Sequence, residues 1–311
     1  MDRVTTFSTY NNVIGAVLRA ESNQAQAQQQ VATGKTADDL KGYGVDAEAL
    51  TAAQTLQART NSFIATAKTA SQRLDAQDLA LGQVSDASTG ARAAIANALA
   101  SDSADGLVSS LQSFFTQAAS GLNTQYNGSY LFAGGRTDTP PVAAKDMSDL
   151  TTMTSSQVFQ NDQLATTTRL DQSTTVKTGM LADSVGQPLF DAFKQVQAFQ
   201  QGASGPFSGK LTDAQTTFLT SMLATFDSAS DGLTSASADN GLMQNRVDAA
   251  QAAQTDRKTM LTGVIGDISS VDMAEAASRL SQSQLALQAS AQIFSSLQQN
   301  TLLNYLAPPS S

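Results

Sequence analysis

Apolar residues recur along much of this chain at alternating steps of three and four, the spacing that lines one face of an α-helix. Val13, Val17, Ala20, Gln24, Ala27 and Val31 make one such stripe near the start. A second runs through Ala67, Ala70, Leu74, Gln77, Leu81, Val84, Ser88, Ala91 and Ile95. It breaks near Ser101-Asp102-Ser103 and resumes in Leu107, Leu111, Phe114, Ala118 and Leu122, which predicts two antiparallel helices with a turn between them. Toward the end, Met273, Leu280, Leu287 and Phe294 fall at heptad intervals, with Ala276 and Leu297 at intervening positions, a seam of the coiled-coil kind. A helix from about Asp272 to Leu306 would be about 50 Å long. It needs a partner along that length, because a single helix this poor in large apolar residues buries too little surface to offset its ordering entropy.

Breaks in the pattern divide the chain. All prolines lie at Pro140-Pro141, at Pro188 and Pro206, or at Pro308-Pro309, which leaves both arms free of the strongest helix breaker. Gly34, Gly42 and Gly44 punctuate a turn after the first stripe, which reads as a hinge. From Tyr126 to Gly135 aromatic residues are followed by glycines, a pattern of a short strand and turn. Residues 136–183 are rich in Thr, Ser and Asp without helical period, and Thr174-Thr175-Val176-Lys177 reads as a strand. Helical character resumes at Leu189, pauses at Gly202 to Pro206 and continues from about Thr212. The expected fold is mainly α, an elongated antiparallel helical bundle or coiled coil formed by both chain ends, with a small β and loop insertion in the middle. Residues 1–44 and 270–311 are expected to form the terminal assembly domain, 45–135 and 184–269 a helical rod, and 136–183 the insertion.

Composition narrows the function. Aromatic residues make up 6% and Trp is absent, so a broad globular core is not expected. A formal charge of −9 without a run of Lys or Arg argues against nucleic acid as a partner. With neither Cys nor His, disulfides and thiolate sites are excluded and the commonest metal ligand is missing, so no cofactor or metal is expected. The apolar run Val13 to Leu18 is too short to span a bilayer, and no cleavage site follows it; export, if it occurs, is expected without a cleaved signal peptide. Asp38, Asp39, Asp46 and Glu48 lie in or beside a Gly-rich turn and read as caps. Gly134-Gly135-Arg136 opens no phosphate-binding pattern, Ser208-Gly209-Lys210 lacks the spacing of a hydrolase, and an enzyme is not expected. Asn127-Gly128-Ser129 matches a glycosylation acceptor by pattern and is read as a turn, and the Ser/Thr runs at 151–156 and 166–175 as loop.

Charge is missing where a solvated helix would carry it. No Asp, Glu, Lys or Arg lies between Glu21 and Lys35 or after Arg279. Either this follows from an Ala- and Gln-rich composition, or both terminal helices pack against neighbours or face a confined space where an unpaired charge is costly.

Residues 3–34, from Arg3-Val4-Thr5-Thr6-Phe7 to Gln30-Val31-Ala32-Thr33-Gly34, resemble the N-terminal signature of hook-associated proteins of the junction type. Asn245-Arg246-Val247 and Val271-Asp272-Met273-Ala274-Glu275-Ala276, followed by Leu280-Ser281 and Leu285, resemble the C-terminal signature of flagellins. The chain is thereby similar to the flagellin superfamily at both ends. Within it, Tyr130-Leu131-Phe132-Ala133-Gly134-Gly135 with Thr139-Pro140 resembles a motif of the members that join hook to filament. The first turn departs from filament flagellins, which more often carry a Ser-Ser-Gly turn and a double-Asp, Ala-Ala-Gly run. The resemblance implies a secreted structural protein of the flagellum that is exported unfolded and orders its ends on assembly. It implies self-association in a ring, a neighbouring hook-associated protein and flagellin as partners, an export chaperone at the C-terminal helix, and no membrane. A filament flagellin and a secreted helical binding or translocator protein are the alternative readings.

Overall fold

The structure, a computed structural model, describes residues 2–306, with side chains described for 11–296. It is mainly helical. In order come α1 (Asp2–Thr33), a 3-10 turn (Leu40–Asp46), α2 (Ala47–Ser101), α3 (Leu107–Leu122), the hairpin β1 (Gln125–Tyr126) and β2 (Ser129–Tyr130), the single-turn helices α4 (Asp149–Thr152) and α5 (Ser155–Val158), the hairpin β3 (Thr167–Arg169) and β4 (Thr175–Lys177), and finally α6 (Ala182–Gln201), α7 (Asp213–Ser269) and α8 (Met273–Leu306). The chain forms two compact units, one of Thr60–Asp256 and one of the described residues up to Arg59 and from Arg257 onward.

In the Thr60–Asp256 unit, every residue of the stripe from Ala67 to Ile95 is buried, its polar members included. The stripe faces α7 in antiparallel register. Ser71 meets Asp248, Gln77 meets Asn240 and Ser88 meets Ser230, each step forward on α2 matched by a step back on α7. Arg92 and Asp227 pair farther along the same two helices. The turn after Ser101 leads into α3 as its spacing predicts, with Leu107, Leu111, Ala118 and Leu122 buried. Phe115, not Phe114, is the buried aromatic. Phe114 is half-buried against Gly90, where a Cβ would collide with its ring, so the missing side chain on α2 makes room for it.

Few aromatics suffice because they are gathered together. Phe115 meets Phe190 and Phe193 edge-on at centroid distances of 5.2 and 5.7 Å, and Phe193 meets Phe226 at 5.3 Å. Helix α6 supplies two of these rings and begins at Ala182, earlier than Leu189, carrying Pro188 inside it. A proline there costs about 3 kcal/mol. Burial of Ala182, Leu189, Phe190 and Phe193 on the same helix offsets that cost.

Residues 136–183 share this core. Val142, Ala144, Met147, Leu150, Val158 and Phe159 join the main cluster. Hairpin β3–β4, whose second strand falls within the one expected at Thr174–Lys177, places Leu170 and Val176 against Ala67, Ala70, Leu74 and Val247. Asn127 and Gly128 take positive φ values of 50° and 76°, the conformation a two-residue hairpin turn requires, so the acceptor-like tripeptide is a turn.

In the other unit α1 and α8 pack along one another. Gly34, at φ 67°, closes α1 by donating its N–H to the Gln30 carbonyl at 2.9 Å. The expected hinge is tied down: Thr36 N–H donates to the Ser269 carbonyl at 2.8 Å and Val271 N–H to the Gly34 carbonyl at 3.0 Å. The break after α1 and the break before α8 thus bridge each other. Asp39 accepts the Gly42 N–H at 2.9 Å, a capping role. Asp272 caps α8 by accepting the Ala274 and Glu275 N–H groups at 2.8 and 3.1 Å.

Candidate assembly surface

The seam between α1 and α8 is built largely from small side chains. On α1, Ala20, Ala27 and Gln30 are buried and Val13, Val17, Gln24 and Val31 are half-buried. On α8, Ala276 and Ser283 are buried and Leu280, Leu287, Ser290 and Phe294 are half-buried. Steps of four and three continue without a break from Ala276 to Phe294. The small residues Ala276, Ser283 and Ser290 alternate with the larger Leu280, Leu287 and Phe294, which lets the helices approach closely. Met273 shares the heptad spacing but is 49% exposed. It opens α8 directly after the Asp272 cap, where the chain is turning away from the Gly34 bridge, and the seam starts one turn later at Ala276. Leu297 lies outside the residues whose side chains are described.

The opposite faces carry what sequence spacing alone did not single out. Leu18, Leu285 and Ile293 are 59%, 65% and 53% exposed. Gln, Ser and Ala surround Leu285 and Ile293 on α8, where Glu275 with Arg279 forms an exposed ion pair one turn apart at 2.6 Å, while Leu18 on α1 stands beside the exposed Arg19 and Glu21. Asn23, Gln26, Gln30, Arg279, Gln282 and Ser283 border a shallow polar cavity of about 390 Å³ along the pair. Large apolar side chains in a face with almost no charge are suited to contact other helices, since docking desolvates few charged groups.

The segment Tyr130 to Gly135 runs from the interior to the surface, reaching it at Gly135. Leu131, Phe132, Ala133 and Gly134 are buried and Tyr130 is half-buried. Ala182 N–H donates to the Phe132 carbonyl at 3.0 Å, and the Arg73 guanidinium donates to the Leu131 carbonyl at 3.2 Å; burial lowers the pKa of Arg73 from its ordinary value. Gly134 and Gly135 wrap the Asp162 carboxylate, which accepts the N–H groups of Gly135 at 2.8 Å and Leu164 at 2.9 Å. A Cβ on Gly134 would collide with Asp162 Oδ1. The Gly135 N–H, the Leu164 N–H and then the charge of Arg136 hold Asp162 below the usual carboxylate range. At the tip of β3–β4, N–H groups of Ser173 and Thr174 hold Asp171 down to about 2. These carboxylates organise loops. Among the described residues no cluster of acidic side chains is arranged to hold a metal, and no helix is long and apolar enough to cross a membrane.

Residues 223–306, which include most of α7 and all of α8, match the family model of the bacterial flagellin C-terminal helical region. The C-terminal arm is thus similar to the helical end of flagellins. Two solved structures share the fold of this chain. One, described as a flagellar hook-associated protein from Vibrio parahaemolyticus, is 18% identical with a TM-score of 0.61, over 74% of this chain and 98% of that one. The other, FlgL from Bacillus cereus, is 16% identical with a TM-score of 0.53, over 70% of this chain and 98% of that one. No curated protein matches the sequence. The matched segment contains the whole described seam on α8 together with Leu285 and Ile293, so the similarity and the exposed uncharged face fall on the same residues.

Proposed function

We propose that this protein is a structural subunit of the extracellular bacterial flagellum, placed between hook and filament, and that it acts by assembly and not by catalysis. The observation that carries the reading is the outward face of α8, uncharged beyond Arg279 and bearing Leu285 and Ile293, within a flagellin-type arm. The fold shared with a hook-associated protein and with FlgL supports the junction position. In this account α1 and α8, with the seam residues Val13, Val17, Ala27, Val31, Leu280, Leu287 and Phe294, form the assembly domain. Further copies of the chain in a ring, a hook-associated protein on one side and flagellin on the other cover their exposed faces, and an export chaperone holds the C-terminal helix beforehand.

Labelled protein seen by negative-stain microscopy tests the position. A short band beside the hook is expected, and cells lacking the protein should keep hooks and shed flagellin into the medium. The family match to flagellin itself favours the second reading, a filament subunit; label along the whole filament would establish that reading instead. For the seam, Leu287→Asp is expected to abolish incorporation while leaving helicity of the isolated protein largely unchanged, because a carboxylate there is fully desolvated only in the assembly. Normal incorporation would place the assembly surface elsewhere.

A further inference from the structure

The chain contains two Asn-Gly pairs, Asn127-Gly128 and Asn240-Gly241, in opposite environments. Asn-Gly is the dipeptide most prone to cyclise, since glycine offers no side chain to obstruct approach of its main-chain nitrogen to the preceding amide carbon. Asn127 and Gly128 are both exposed at the tip of β1–β2, and nothing lies within 4 Å of the place a Gly128 Cβ would occupy. The strands that hold this tip pair only Gln125 with Tyr130 and Tyr126 with Ser129, so little hydrogen bonding opposes the backbone rotation that ring closure needs. Asn240 is fully buried inside α7. Its Nδ2 donates to the Leu74 carbonyl at 3.0 Å and its Oδ1 accepts from Gln77 Nε2 at 3.2 Å, and cyclisation there would break both bonds and the helix.

We infer that Asn127 is a site of spontaneous deamidation and isoaspartate formation in the folded protein, and that Asn240 is protected. The Gly128 nitrogen gives its proton to hydroxide and attacks Asn127 Cγ. The new C–N bond forms as the side-chain nitrogen leaves as ammonia, giving a five-membered succinimide. Water then adds to one of the two ring carbonyls and cleaves its bond to nitrogen, leaving aspartate or isoaspartate at 127. Isoaspartate inserts an extra carbon into the main chain of a two-residue turn, so the Tyr126–Ser129 pairing cannot persist in its present register. Either product adds a negative charge at the tip of the hairpin. This inference is independent of the flagellar reading.

The test is timed incubation of the folded protein in mildly alkaline buffer, with peptide mass mapping and isoaspartyl methyltransferase labelling, beside the same incubation in urea. Conversion at Asn127 in the folded protein is expected on the order of a hundredfold faster than at Asn240, because a loop tip opens locally and a helix interior opens only with the fold. In urea the two rates should converge. Asn127→Gln should remove isoaspartate from the peptide that carries position 127. Equal folded rates at the two sites, an intact Asn127 in folded protein over a time that converts it in urea, or isoaspartate persisting in that peptide of Asn127→Gln would each overturn the assignment.

Discussion

The Thr60–Asp256 unit and the α1–α8 pair are both antiparallel helices built from the same restricted alphabet, yet they bury different things. The first gathers Phe115, Phe132, Phe193 and Phe226 with Leu74, Leu81, Ile95, Leu111 and Leu122, all nearly inaccessible to solvent. Each such side chain contributes about 1.5–3 kcal/mol on burial. The second buries Ala20, Ala27, Ala276 and Ser283 and leaves its larger residues half-covered or outward. Close packing of small side chains gives a defined seam but a small hydrophobic return, so the first unit is stable by its own contacts and the terminal pair gains most from contacts outside itself. The proposed subunit, ordering its ends only on assembly, would draw on this division.

The contrast is sharpest at the aromatic cluster. Phe193→Ala removes a fully buried ring that touches Phe115 and Phe226, and is expected to cost about 3–5 kcal/mol by urea denaturation followed by circular dichroism. A much smaller loss would mean that the cluster is not the core of its unit. The buried polar pair comes next. Gln77→Leu leaves the Asn240 oxygen buried without its donor and should cost about 1–3 kcal/mol. Gln77→Leu with Asn240→Leu should recover most of that, because Gln77 Oε1 already lacks a protein partner; failure of the double variant to recover would show that this pair is needed for the α2–α7 register. In the terminal pair, Asp272→Ala removes the cap of α8 and should cost about 1 kcal/mol, read as faster amide exchange confined to the first turn of α8. If exchange accelerates equally throughout the Thr60–Asp256 unit, the terminal pair contributes to that unit's stability and the contrast fails.

The sequence announced the helices whose faces repeat without interruption. The stripe from Ala67 to Ile95 is buried at every position, polar members included, because a long helix with one partner can keep a single face inward. Phe115 was missed where Phe114 fits the step pattern, since the deciding feature is Gly90 on another helix. The start of α6 was placed too late because Pro188 is a local signal for a break, whereas packing of Phe190 and Phe193 is a long-range one. The bridge between Gly34 and Val271 joins residues far apart in sequence through main-chain atoms, which leave no side-chain pattern to read. At the candidate surface, heptad spacing picks out residues that share one face of α8, of which Leu280, Leu287 and Phe294 are half-buried and Met273 is exposed. The exposure of Leu18, Leu285 and Ile293 needed the structure, because heptad reading counts the residues that face inward and is silent on apolar residues that do not.

Amide hydrogen exchange on the isolated protein, resolved by segment, tests the division between the two regions most directly. The account predicts that α1 and α8 exchange at least about a hundredfold faster than the facing stretches of α2 and α7 around Gln77 and Asn240, whose opening requires the whole unit to unfold. Protection of α1 and α8 equal to that of these stretches would contradict it, since the terminal pair would then be complete without any partner.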